Sequence, residues 1–252
     1  RLIFPDAHPN YNVPLQVQAE RLQSVTLEDV KAYHARHFGA NEWTLCVVGD
    51  AEPAALHDAV SEAFDGWKKH DAEPTYAVDA LQHPAERAVV PMPDKSNVDV
   101  RMGHALPILR DHEDYLALHV GNYILGGNFS ARLMNEVRDE RGLTYHIGSG
   151  LSGITTRYAG SWTVQVTLSQ DKLDQGIAAT KDVIQAFVNE GATEEEVEAK
   201  KTTITGSFTV GLATTQRLAQ SLLTNTERGF PVSYLDRFPR MIEDLTLDSI
   251  NE

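Results

Sequence analysis

Leu125-Gly-Gly-Asn-Phe-Ser-Ala-Arg-Leu133, running on into Asn135-Glu-Val-Arg138-Asp-Glu-Arg-Gly-Leu-Thr-Tyr145, is the stretch on which the reading of the fold turns. It joins a glycine hinge, a helix capped by Ser130 and stopped by Gly142, and the start of a strand. The spacing predicts a helix over 130–140, with Arg138 in its last turns and Tyr145 just beyond the stop, so the two side chains can converge near a helix end. A guanidinium fork holds a peptide carbonyl or carboxylate, and a phenol donates to an oxygen that becomes an oxyanion. Spacing alone favours the blander account, a solvated Arg and a half-buried Tyr.

Downstream, two β stretches are predicted near 144–154 and 158–168. Long helices follow over 171–189 and 193–212, the second opening with Thr193-Glu-Glu-Glu196, and further helices lie near 215–228 and 233–241. Upstream, residues 87–90 and 98–105 read as strands and 112–125 as a helix. Residues 68–86 turn polar, with Pro74 and Pro84 and no clean period, which sets a linker at 71–85. Before it, Thr26-Leu-Glu-Asp29 is an N-cap with a carboxylate three residues on, opening a helix over 26–38. Residues 43–48 read as a buried strand stopped by Gly49-Asp50, and 53–67 as a second amphipathic helix with Pro53 near its start. Strands cluster early and helices late. The expected fold class is α+β, with helices on one face of a largely antiparallel sheet. A short echo, Val25-Thr-Leu-Glu-Asp29 against Leu245-Thr-Leu-Asp-Ser249, hints at an internal repeat.

The 252 residues, 42% hydrophobic and 23% charged, match a globular chain rather than a disordered or membrane one, and no apolar run approaches the roughly 20 residues that span a bilayer. The start at Arg1 reads as the loss of an N-terminal part. A net charge of −14 without a basic stripe excludes nucleic-acid binding as the main task, because phosphate contacts dominate that affinity. The lone Cys46 reads as a small buried hydrophobe.

Motifs that could carry chemistry are few. A zinc hydrolase needs about three ligands at fixed geometry, and neither H-E-x-x-H nor H-x-x-E-H occurs. His83-Pro-Ala-Glu86-Arg87 comes nearest, but Arg stands at the second ligand and Pro84 disfavours a helix through His83. His34 and His37 share a helix face without a third ligand near in sequence, and His112 and His119 read as equally ordinary. Gly148-Ser-Gly150-Leu-Ser-Gly153 fits G-x-G-x-x-G, yet it lies between β stretches and so reads as a softened hairpin, not a pyrophosphate cradle. Ser149 and Ser152 near His146 lack the strand-turn-helix elbow of a nucleophile.

The stretch from Leu125 to Tyr145 resembles the "LGGGFSSRL…E.R…GL.Y" signature in the second repeat of the pitrilysin or insulinase family of inverted zinc peptidases. Residues 25–50 resemble the segment that closes the first repeat, a threonine-capped helix followed by "L.VVGD". The likeness covers nearly the whole chain. It implies residues 1–70 as the end of a first repeat, 71–85 as a linker and 86–252 as a zinc-free second repeat, truncated at its C-terminal end. It also implies that Arg138 and Tyr145 bind substrate opposite a metal held elsewhere, with no catalytic residue and no metal ligand in this chain. Zinc is expected in the complete enzyme, from an upstream repeat or a partner subunit, and a dimer is compatible with this scheme. The expected substrate is a peptide and the expected home the bacterial periplasm, otherwise the cytoplasm. The competing expectation is an inactive structural or assembly subunit of the same fold. Because the second copy of the echoed helix stops at Glu252, residues 26–67 are also expected to complete the second repeat by permutation or swapping.

Overall fold

The computed structural model describes residues 2–40, 43–69 and 86–252. Among these, the chain divides into two compact units. One comprises Arg1–Tyr11, Val78–Ser207 and Arg237–Glu252; the other comprises Asn12–Ala77 and Phe208–Asp236.

The first unit is built on a three-stranded antiparallel sheet in the order β1-β3-β2, where β1 is Asn97–Ala105, β2 His146–Ser152 and β3 Ser161–Ser169. Register follows the alternation of side chains. Val164, Val166 and Leu168 of β3 point one way and are fully buried, while Thr163, Gln165 and Thr167 between them stay partly open. In β3, Val166 stands opposite Val100 of β1 on one side and Ile147 of β2 on the other. That buried face packs with Leu125, Leu133, Met134, Val137, Ala179 and Val183 into one hydrophobic core.

These last residues come from helices. Helix α4 (Tyr115–Leu125) precedes the glycine hinge, a π-helix (Met134–Glu140) follows it, and α5 (Leu173–Glu190) lies beyond β3. At Gly176 a Cβ would strike Leu168, so glycine lets α5 approach β3 closely. Helix α6 starts at Glu194 and runs to Gly211, and it opens with the expected box. Thr193 N and Oγ1 donate to Glu196, and Glu196 N donates back to Thr193 Oγ1. A second core joins Val120 and Ile124 of α4 to Val197 and Ile204 of α6 and to Ile242.

The second unit contains helices α1 (Leu15–Gln23), α2 (Leu27–His37), α3 (Pro53–Ala63) and α7 (Thr215–Glu227). α2 begins at the predicted cap, with Thr26 and Asp29 bonded reciprocally, and Pro53 sits in the first turn of α3. The echo holds locally: α9 (Leu247–Asn251) opens with the same reciprocal cap at Thr246 and Ser249, and the two threonines share their backbone angles, φ −102°, ψ 165° and φ −101°, ψ 162°. α8 spans Tyr234–Glu243.

Several expectations need correction. Residues 43–48 form no strand: Trp43, Leu45 and Val47 are exposed and Cys46 is half-buried, not core, because an apolar run becomes a strand only where another strand offers ladder partners. Residues 87–90 are likewise exposed and irregular, and the 112–125 helix starts only at Tyr115. Finally, Ser130 does not cap its helix. Its hydroxyl donates to Asn128 Oδ1 (2.9 Å) and accepts from Lys200, a partner far away in sequence. The linker at 71–85 and His83 lie outside the described residues.

Candidate functional site

The glycine hinge is held by what it touches. Gly126 N and Gly127 N donate to Asn122 O at 2.9 and 3.0 Å, and Ser149 N of β2 donates to Gly126 O at 2.9 Å, so the hinge is stitched to the middle of the sheet's edge strand. A Cβ at Gly126 would stand 2.6 Å from Ser149 N, which explains why glycine is there. Asn122, only 8% exposed, ties the same region from beneath: its Oδ1 accepts from Ser149 Oγ (2.8 Å) and from the Trp162 indole (3.0 Å). Ser149 is thus a structural hydroxyl in a hairpin, in line with the reading of the G-x-G-x-x-G match.

Beyond the hinge, Leu133, Met134 and Val137 bury one face of the helix while Arg138 stays at its margin. Arg141 N donates to Glu136 O, a bond one residue longer than an α-helix makes, and such wide turns recur at functional sites. The helix stops at Gly142 (φ +60°), whose carbonyl accepts from Lys172 Nζ at 2.8 Å. Thr144 Oγ1 donates to Thr167 O of β3 and accepts from His146 N, so the backbone on either side of Tyr145 is pinned to the sheet.

The result brings the two sequence-predicted residues together. The Arg138 guanidinium lies over the Tyr145 ring, 5.4 Å from its centroid, within the range of a cation–π contact. Arg138 Nη1 also donates to Asp139 at 3.0 Å, an exposed pair of little energetic weight. Tyr145 is 86% exposed, so the pair shares an open surface rather than an enclosed cavity. Two clefts of about 380 and 200 Å³ lie elsewhere, the first lined by Glu194, Lys201 and Leu247, the second by Ile124, Arg132 and Lys200. A guanidinium with free donor capacity beside an accessible phenol can hold a carbonyl and donate to its oxygen.

Sequence reasoning missed the charged groups that hold the loop and the helix leading to Arg138. Lys200, 7% exposed, donates from Nζ to Ser130 O (2.8 Å), Ser130 Oγ (2.7 Å) and Asn128 Oδ1 (3.2 Å). Arg132 forms a forked pair with Glu196, both contacts at 2.6 Å, donates to Gly191 O at 2.9 Å and lies over the Phe187 ring. The hydrogen bond from Arg132 holds the Glu196 carboxyl down at about 2 against the opposing effect of burial, and burial pushes the Lys200 ammonium down from its usual value. Glu196 and Lys200 stand at i,i+4 on one helix, a spacing readable in sequence. Its partners across the fold were not.

Among the described residues, no group of three or more His, Cys, Asp or Glu side chains could hold a metal ion. His34 and His37 instead stack with Phe38 and Tyr33. Among the described residues, no helix is long and apolar enough to cross a membrane.

The family model of the peptidase M16 inactive domain matches residues 24–204, well over half of the chain, and the chain belongs to this family. It is similar to the "Non-peptidase homolog YmxG" of Helicobacter pylori, 23% identical over 96% of this chain and 56% of that protein. It is also similar to the "Uncharacterized zinc protease Rv2782c" of Mycobacterium tuberculosis, 24% identical over 94% of this chain and 54% of the relative. Among solved structures it resembles a peptidase M16 inactive domain from Pseudomonas fluorescens, with a TM-score of 0.76 and 26% identity over 92% of this chain and 54% of that one. The chain spans about half the length of the curated relatives it matches.

Proposed function

We propose that this chain is the zinc-free, substrate-binding part of a zinc metalloendopeptidase, in which Arg138 and Tyr145 orient the scissile peptide. The observation that carries the reading is the approach of the Arg138 guanidinium to the Tyr145 ring on an accessible surface. The forked donor grips a peptide carbonyl or carboxylate, and the phenol donates to a carbonyl oxygen as negative charge builds on it. Zinc and the general base belong to other residues of the complete enzyme, in a preceding repeat or a partner subunit. In this reading residues 1–70 close a first repeat and 86–252 form a second, a division supported by the matched caps at Thr26 and Thr246 and by relatives about twice as long. The family resemblance further puts the complete protein in the periplasm, otherwise in the cytoplasm.

The test uses the complete, zinc-loaded enzyme. Arg138→Ala and Tyr145→Phe should each lower turnover by about ten- to a thousandfold, the range for losing one orienting or oxyanion-stabilising donor, with zinc content unchanged. Unchanged kinetics in both variants would overturn the assignment.

A second reading, an inactive structural or assembly subunit of the same fold, is favoured by one observation: a relative matched over 96% of this chain is named a non-peptidase homologue. Normal assembly of the complete protein with no peptide hydrolysis at any pH would establish it instead.

A further inference from the structure

The glycine pair at 126–127 gives the chain a hinge at the point from which the Arg138 helix departs, and glycine there permits many backbone paths. Asn122 and Ser149 hold the glycines themselves, and the loop and helix beyond them are held by two residues one turn apart on α6. Lys200 reaches the loop, with its ammonium on two oxygens of Ser130 and on Asn128 Oδ1. Asn128 in turn donates to Tyr123 O and its Oδ1 accepts from Ser130 N and Oγ, so the loop's own bonds share the oxygen that the ammonium reaches. Glu196 reaches the helix just after the loop, through the forked pair with Arg132.

Stability alone is a poor account of this arrangement. Taking an ammonium out of water is costly, and replacing buried charges by apolar side chains of similar volume is often neutral or stabilising. What the charges add is direction. Three oxygens around one Nζ, and two parallel bonds between a fork and a carboxylate, each allow a narrow set of geometries, whereas apolar packing allows many.

We infer that Lys200 and the Arg132–Glu196 pair are positioning residues of the peptide site, which lock the 126–130 hinge and the helix leaving it so that Arg138 meets Tyr145. None of the three touches substrate. The inference rests on the peptide-gripping role proposed for Arg138, and its tests separate the two claims.

The first measurement needs no peptidase activity. In the complete protein, Lys200→Met should raise amide hydrogen exchange selectively over residues 126–132, while β3 and α5 keep their protection. In the zinc-loaded enzyme, Lys200→Met and Glu196→Gln should lower kcat on the order of tenfold per folded, zinc-containing molecule, as small misplacements of orienting groups do. A purely structural lysine would reduce only the folded fraction. Lys200→Arg should recover part of the loss, which guards against a Met variant that folds poorly. In an Arg138→Ala background, Lys200→Met should cost nothing further, because its effect runs through Arg138. An equal loss with and without Arg138 would overturn the positioning role. So would unchanged exchange and turnover in Lys200→Met beside an impaired Arg138→Ala. Should Arg138→Ala itself leave turnover intact while Lys200→Met still loosens the hinge, the gripping role falls and takes the positioning role with it.

Discussion

At the scale of single residues, the site depends on backbone approach more than on any one contact. Gly126 illustrates it: a Cβ there would meet Ser149 N at 2.6 Å and Leu133 Cδ1 at 2.8 Å, and the bond from Ser149 N prevents the hinge from backing away. Gly126→Ala should cost about 1–3 kcal/mol, as overpacking does, and lower the melting temperature by several degrees. Gly150 is the internal control, since a Cβ there meets nothing within 4 Å. Gly150→Ala should stay within about 0.5 kcal/mol of the parent, because it adds no clash and removes freedom from the unfolded chain. Thermal unfolding followed by circular dichroism checks both, and equal losses would show that close approach is not why glycine occupies 126. The sequence reading placed a hinge here because a Gly-Gly pair is a local signal. It assigned Ser130 a capping role because serine before a helix is a local signal too, and there the structure differs, since that hydroxyl donates to Asn128 and accepts from Lys200 instead.

At the scale of elements, the Arg132–Glu196 pair joins the hinge helix to α6, and its pH dependence follows from the depressed carboxyl. The Glu196 carboxyl is held down to about 2 in the fold from its ordinary 4.5, chiefly because Arg132 donates to it. A depressed folded value means the stabilising contribution is complete above about pH 4.5 and falls away as the pH drops toward 2. Glu196→Gln should therefore be less stable than the parent by about 1–3 kcal/mol at pH 7, the range for a hydrogen bond to a charged group. The gap should close between pH 4 and pH 2 in urea titrations; a gap that does not change with pH would show that the ion pair is not its source. Elements with a strong internal signal were legible in this chain. The capping boxes at Thr26, Thr193 and Thr246 open helices where expected, and the alternation in β3 gives a half-buried strand. The 43–48 stretch was misread because apolar β-branched composition describes a residue's preference, while a strand also requires a neighbour in register.

At the scale of the whole molecule, apolar surface is unevenly distributed. In the second unit Leu15, Leu22, Leu27, Val30 and Tyr33 are more than half exposed, with Leu27 at 68%, and α1, α2 and α3 hold no fully buried residue. Apolar patches of this kind drive association. The purified chain should accordingly self-associate with rising concentration in light scattering, and Leu27→Glu combined with Val30→Glu should reduce that association. The melting transition of the sheet-bearing unit should not move, since neither residue belongs to its core; association unaffected by the charges would exonerate α2. By itself the sequence determined the α+β class, the order of most helices, the caps at Thr26 and Thr193 and the antiparallel strands near 98–105, 144–154 and 158–168, all through signals carried within a few residues, while the nomination of Arg138 and Tyr145 rested on the resemblance of the whole 125–145 stretch. Only the tertiary structure decided which strand-like segments pair, that Arg138 and Tyr145 meet on an open surface, and that Lys200 and Glu196 of α6 reach Ser130 and Arg132. The physical reason is range: caps and periodicity act over one or two turns, whereas the ladder partners of β1 and β3 lie 56 to 72 positions apart, Arg132 and Lys200 meet partners 59 to 72 positions away, and both sets of contacts exist only once the core has closed.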